Sequence, residues 1–177
     1  MKPTVGWGTV GNIFSAGDLD LYLSNGGTSV FVDVLMLAVS DLAATAWDYR
    51  FATMLTRQDQ GVMGRGAVGF DLADIDWGRT AQQRAEAKDF VLRVVDLASR
   101  RHRWDELNYF PPFAESYLRR FRAMVEAFDP ATARDDGITF PRPDETTPAS
   151  CVRHRVLSSL PLLEGCVFCF AGVTFAK

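Results

Sequence analysis

Thr28-Ser29-Val30-Phe31-Val32-Asp33-Val34-Leu35-Met36-Leu37-Ala38-Val39-Ser40-Asp41-Leu42-Ala43-Ala44-Thr45-Ala46-Trp47 opens a run that reaches Gln58 without a glycine or a proline. Those two residues interrupt helices most strongly, so a long run free of both permits helix throughout. Within it Val32, Leu35, Met36, Val39, Leu42, Ala43, Ala46, Trp47 and Phe51 recur at helical spacing. Thr28 or Ser29 can cap its start, because a hydroxyl there accepts from a free first-turn N–H. Val30-Phe31-Val32 also suits a strand. The reading taken is one or two helices, and the density of apolar residues implies burial on more than one side.

Working outward, residues 1–27 are glycine-rich with alternating apolar positions. Asp18-Leu19-Asp20-Leu21-Tyr22-Leu23 alternates strictly, which predicts a half-buried strand, and Asn25-Gly26-Gly27 reads as a turn. On the other side, residues 61–78 combine glycines with Asp71, Asp74, Asp76 and Trp77, and read as a structured loop with a short strand. Thr80 opens a further helix to Arg100 or Arg101, with Phe90, Val91, Val94, Val95 and Leu97 as its apolar face. Residues 104–109 connect it to a last helix ending near Phe128. Pro111 and Pro112 fit that helix's first turn, where the missing N–H groups have no intrahelical partner. Residues 129–150 hold four of the eight prolines and read as a linker.

The whole chain has 177 residues, 47% of them hydrophobic and 23% charged, which fits one soluble domain with a real core. A net charge of −3 argues against nucleic acid as the main partner. Residues 1–78 hold four basic and nine acidic side chains, and residues 79–128 hold ten and seven. The acidic N-terminal part is a solvated face or a surface for a basic partner. The first residues lack the apolar run of a secretory signal, and Asp33, Ser40 and Asp41 interrupt the most apolar stretch. No membrane association follows, and the expected location is the cytoplasm.

All three cysteines lie in the last 27 residues, in the pattern Cys151-x2-His154-x11-Cys166-x2-Cys169. Two residues between donors let a short turn aim both side chains at one point. Two such turns complete the four corners of tetrahedral Zn²⁺, which favours thiolate and imidazole. Gly165 before Cys166 suits a knuckle turn. A disulfide would strand one thiol and leave the histidine unexplained. Four protein ligands leave no open position for water or substrate, so the zinc expected here is structural and supplies folding energy to a short segment.

Other motifs carry less. Gly6-x-Gly8-x-x-Gly11 and Gly64-x-Gly66-x-x-Gly69 have the dinucleotide-fingerprint spacing without its strand–turn–helix context. Asp71, Asp74 and Asp76 with Trp77 have three readings. They form a capped turn over a buried tryptophan, a partner surface with an aromatic anchor, or a divalent-metal catalytic site. Arg100-Arg101-His102-Arg103 reads as a basic helix end facing its own dipole, or as a phosphate contact.

Several segments recur in an order with a wider likeness. They are Trp47-Asp48, Gln58-Asp59-Gln60-Gly61, Gly64-Arg65-Gly66, Gly69-Phe70-Asp71, Asp76-Trp77 and Lys88-Asp89-Phe90. Residues 104–109, Pro111-Pro112 and the terminal Cys151/His154 and Cys166/Cys169 pairs complete the order. This arrangement resembles the immunity proteins of bacterial polymorphic-toxin systems. That family commonly has glycine after the histidine, where this chain has Arg155. The resemblance implies a non-enzymatic inhibitor that binds a cognate toxin. The surfaces read for such a partner are the acidic N-terminal half and the loop 61–78, with Asp71, Asp74, Asp76 and Trp77 as candidate contacts. The alternative is a zinc-stabilised nucleic-acid-binding or regulatory module using Arg100, Arg101 and Arg103.

The fold class read from these segments is mostly α, formally α+β. Residues 1–128 are a helical body with a short N-terminal β segment, residues 129–150 a proline-rich linker, and residues 151–177 a small zinc knuckle packed on the body.

Overall fold

Ser24, rather than Thr28 or Ser29, starts the first helix. The computed structural model describes residues 11–58, 67–146, 149–151 and 154–158. In it the Ser24 hydroxyl accepts from the Gly27 N–H at 3.0 Å, and the Thr28 hydroxyl donates back to the Ser24 carbonyl at 2.8 Å. Asn25-Gly26-Gly27 is therefore the first turn of helix α1 (Asn25–Leu42), not a separate turn before it. Gly27 admits a close neighbour: a β-carbon there would stand 3.1 Å from the Tyr117 hydroxyl.

The uninterrupted run from Val30 divides into two helices, α1 and α2 (Ala46–Thr56). The break needs neither glycine nor proline. Thr45 accepts from the Asp48 N–H, while Asp48 Oδ2 accepts from the Ala44 and Thr45 N–H groups, both at 2.9 Å. This capping box satisfies donors that continued helix would otherwise have bonded, so the chain turns there. Residues 30–39 of α1 are all buried, and α1 packs against α2, α3 (Ala81–Ser99) and α4 (Ala114–Ala127). It is the central helix, as its all-round apolar pattern implied.

Helix α3 begins at Thr80, where Thr80 and Gln83 form a second capping box. Helix α4 starts later than its prolines suggest. Pro111 and Pro112 precede it, and Phe113, with φ of 61°, occupies the N-cap position. A left-handed residue cannot sit inside a right-handed helix, so the first turn begins at Ala114.

Strands β1 (Asn12–Ala16) and β2 (Leu19–Leu23) form an antiparallel hairpin, with Phe14 opposite Leu21 and Ile13 opposite Tyr22. Residues 67–71 lie along the free edge of β1. The Ile13 and Ser15 N–H groups donate to the Val68 and Phe70 carbonyls, at 3.1 and 3.0 Å. Gly69 makes this approach possible: with φ of 127°, any β-carbon there would lie 1.7 Å from the Ile13 carbonyl oxygen. Buried Asn12 and Gln58 fasten the same stretch. Asn12 Oδ1 accepts from Val68 N–H at 2.8 Å, and Gln58 Oε1 from Gly69 N–H at 2.9 Å. Phe14, Phe31, Phe70 and Phe121 meet edge to face with centroids 5.0 to 6.3 Å apart, joining sheet, α1 and α4 in one core.

The proline-rich stretch lies on the body as far as residue 146. Phe140 enters the core beside Trp47, at 5.4 Å between centroids. The Arg50 guanidinium sits over the Phe140 ring and donates to the Pro141 carbonyl at 2.6 Å. No helix among the described residues is long and apolar enough to cross a membrane.

Candidate metal centre and acidic loop

The Cys151-x2-His154 half of the ligand pattern sits on a small hairpin. Strands β3 (Ala149–Ser150) and β4 (Leu157–Ser158) pair antiparallel. The Cys151 N–H donates to the Val156 carbonyl at 3.0 Å, and the Arg155 N–H to the Cys151 carbonyl at 2.6 Å. This turn brings Cys151 Sγ within 3.6 Å of His154 Nδ1. Two donors on one tetrahedral zinc, with Zn–S near 2.3 Å and Zn–N near 2.05 Å, stand about 3.6 Å apart. The described pair thus fits two corners of such a site. A thiol–imidazole hydrogen bond also spans this distance. Cys166 and Cys169 lie outside the described residues.

Arg155 turns the chain at φ of 52°, in the left-handed region that favours glycine. The hairpin is also held to the body. Val156 is fully buried, and the Leu157 N–H donates to Ser40 Oγ at 3.0 Å. Arg103 donates to the His154 and Arg155 carbonyls.

The acidic loop is arranged as a capped turn. Asp71 caps a short 3₁₀ turn (Leu72–Asp74), accepting from the Ala73 N–H at 2.8 Å. Arg134 bridges Asp71 and Asp74, at 3.4 and 3.0 Å. Asp76 accepts from the Gly78 N–H and pairs with Arg50, both at 3.0 Å. Trp77 is only 2% exposed, and its indole N–H donates to the Leu72 carbonyl at 2.7 Å. It packs on Trp47 and Phe128 and presents no ring to a partner. Asp71 and Asp74 thus share one arginine while Asp76 has another, and these arginines, from distant parts of the chain, neutralise all three. Beside this loop lies a cleft of about 520 Å³. Arg50, Arg79 and Arg93 are balanced there by Asp48, Asp76 and Glu86, so its lining favours neither charge.

The basic cluster is similarly engaged. His102 Nε2 lies 2.7 Å from Asp41 Oδ2, Arg101 pairs with Glu115 at 2.7 Å, and Arg103 pairs with Asp41 and Glu106. Of the two glycine motifs, Gly6, Gly8, Gly64 and Gly66 lie outside the described residues. Gly69 leads into the 3₁₀ turn, not into a nucleotide-binding helix.

An aromatic flanked by acids does occur on the surface, at a residue not singled out as a site. Tyr22 on β2 is 66% exposed. Its hydroxyl donates to Asp20 Oδ2 at 3.2 Å, and the Asp20 charge raises the phenol pKa above its ordinary value. Ile13 lies across the ladder, and Asp18 stands at the hairpin turn. The signal was the alternation itself: if Leu19, Leu21 and Leu23 face inward, then Asp18, Asp20 and Tyr22 face outward.

No family model matches this chain, and neither a curated protein nor a solved structure matches it.

Proposed function

We propose that this protein is an immunity protein, a helical domain that neutralises a bacterial toxin by direct binding and folds its C-terminal segment around a structural zinc ion. The observation that carries the reading is the outer face of the N-terminal hairpin. Most acids in the N-terminal half are already engaged. Asp41, Asp71, Asp74 and Asp76 pair with basic side chains, Asp33 accepts from Tyr109, and Asp48 caps a helix. The Asp18 and Asp20 carboxylates form no ion pair among the described residues, although Arg120 Nε donates to the Asp20 backbone carbonyl at 3.1 Å, and the two acids flank Tyr22. An exposed aromatic beside acidic groups is the anatomy of a protein-binding hot spot aimed at a basic surface. Toxins that act on nucleic acids or nucleotides bind anions, so a basic surface is a reasonable target for an acidic inhibitor. The supporting argument from sequence is the ordered set of segments from Trp47 to Cys169.

The zinc reading is supported by the 3.6 Å separation of Cys151 Sγ and His154 Nδ1 and by the donor chemistry. Cys166 and Cys169 would supply the other two corners. The nucleic-acid alternative has weaker support, since Arg101 and Arg103 are committed to ion pairs within the chain.

The test is co-expression with the product of the neighbouring gene. A complex and relief of toxicity are expected. Tyr22→Ala should weaken that complex by about 2 kcal/mol, roughly thirty-fold in Kd. Asp20→Lys should slow association most at low salt. Absence of both complex and protection rejects the proposal. Bound metal below about half an equivalent after non-oxidising purification rejects the zinc separately.

A further inference from the structure

We propose that Arg103 is the positioning residue of the metal centre, holding the Cys151/His154 turn in ligating geometry from the helical body. The inference rests on the zinc reading above. It starts from an unusual arginine. The Arg103 side chain is only 9% exposed, and its backbone is left-handed, with φ of 58°. A buried guanidinium needs its donors filled, and here they are divided between two parts of the chain.

On the body side, Arg103 Nε donates to Glu106, and Nη1 lies 3.4 Å from Asp41 Oδ2 near the end of α1. Asp41 also meets His102 Nε2, so the carboxylate is gripped from two sides. On the hairpin side, Nη2 donates to the His154 carbonyl and Nη1 to the Arg155 carbonyl, the latter at 3.5 Å. The two carbonyls are consecutive, and they flank the left-handed turn at Arg155. A planar fork that bonds both fixes the peptide between them, and with it the direction of the His154 side chain. Lysine offers a point charge without the fork, so it cannot fix that plane.

A C-x2-H turn of an autonomous knuckle would be organised by the metal alone. Here the turn is already docked, through Arg103, through the Leu157 N–H on Ser40 and through buried Val156. Part of the ordering cost is then met before metal arrives, and metal affinity acquires a dependence on a residue that is not a ligand.

The experiment measures zinc affinity by competition with a chromophoric chelator in the full chain. It compares wild type with Arg103→Ala, Arg103→Lys and the neighbouring control Arg101→Ala. Helical content and melting of each are followed by circular dichroism. Both Arg103 variants are expected to bind zinc about ten- to a hundred-fold more weakly, as for other groups that orient a ligand. Arg101→Ala should match wild type. The cobalt-substituted Arg103→Lys protein should show an altered ligand-field spectrum at unchanged helical content, which a merely structural role would not produce. If Arg103→Ala does not fold, Arg103→Lys carries the comparison. Wild-type affinity and spectrum in Arg103→Lys, or in a folded Arg103→Ala, overturn the proposal. Amide exchange at Arg155 in the metal-free protein separates this failure from failure of the zinc reading. Faster exchange in the Arg103 variants is expected whether or not the wild type loads zinc, and unchanged exchange refutes the docking itself.

Discussion

Replacing Phe140 by alanine should cost this protein about 4 kcal/mol, although the residue lies in a proline-rich stretch. Truncating a buried phenylalanine to alanine costs roughly 3–5 kcal/mol in lost transfer energy and cavity. Phe140 is 2% exposed and packs on Trp47. It also carries the Arg50 guanidinium 4.5 Å from its ring centroid. Arg50 is itself mostly covered, so the lost cation–π contact places the expected value above the lower end of the range. For a chain of this size the melting temperature should fall by roughly 8–16 °C. Two residues earlier, Ile138 is 82% exposed. Ile138→Ala should therefore change stability by no more than about 0.5 kcal/mol. Urea unfolding followed by tryptophan fluorescence and far-UV circular dichroism measures both, with Trp47 a direct neighbour of the lost ring. A Phe140→Ala cost below about 1.5 kcal/mol, or equal costs for the two variants, would refute the placement of this segment in the core.

Two glycines should respond in opposite senses. Gly69→Ala forces a β-carbon onto the Ile13 carbonyl and should cost about 4 kcal/mol or more, whereas Gly26→Ala, in open space in the first turn of α1, should gain about 0.5 kcal/mol; similar urea midpoints for the two reject the strand-edge geometry. Arg155→Gly relieves a left-handed arginine and should stabilise the hairpin by about 0.5–1 kcal/mol, read as slower amide exchange at Val156; faster exchange argues against the turn. The hydrogen bond from Arg103 holds the Glu106 carboxyl below its ordinary value of 4.5, against the opposing effect of burial. A depressed carboxyl contributes stability that is complete above the unfolded value and is lost as pH falls through the folded one. The gap in urea midpoint between wild type and Glu106→Gln should thus be constant at neutral pH and close below about pH 4.5; a gap that widens in acid contradicts the pairing.

What the sequence determined by itself is mostly what acts within a few residues. Thr80 with Gln83 closes a capping box three residues wide, so the start of α3 is readable without a fold. The apolar density of residues 30–39 sufficed to make α1 central. The alternation from Asp18 to Leu23 already contained both faces of β2, including the outward Tyr22. Even the break between α1 and α2 was written locally, in Thr45 and Asp48, although one or two helices fitted the pattern equally well. Phe113 limited this kind of reading, because prolines are compatible with a helix start and nothing local requires the left-handed residue after them.

Tertiary structure decided which charges meet and which aromatics are covered. Arg134 lies some sixty residues from the aspartates it neutralises, and Arg103 some fifty from the carbonyls it holds. No periodicity records such a pairing, because the partners share no element. Trp77 stands among three aspartates, where a capped turn over a buried tryptophan is the preferred reading and an exposed partner anchor the alternative; burial against Trp47 and Phe128, with the Leu72 carbonyl for its N–H, agrees with the first. Cys151 and His154 could be read as one half-site because two intervening residues fix their reach. Their attachment to the body depended on Arg103 and Ser40, contacts that exist only once the chain has folded back on itself.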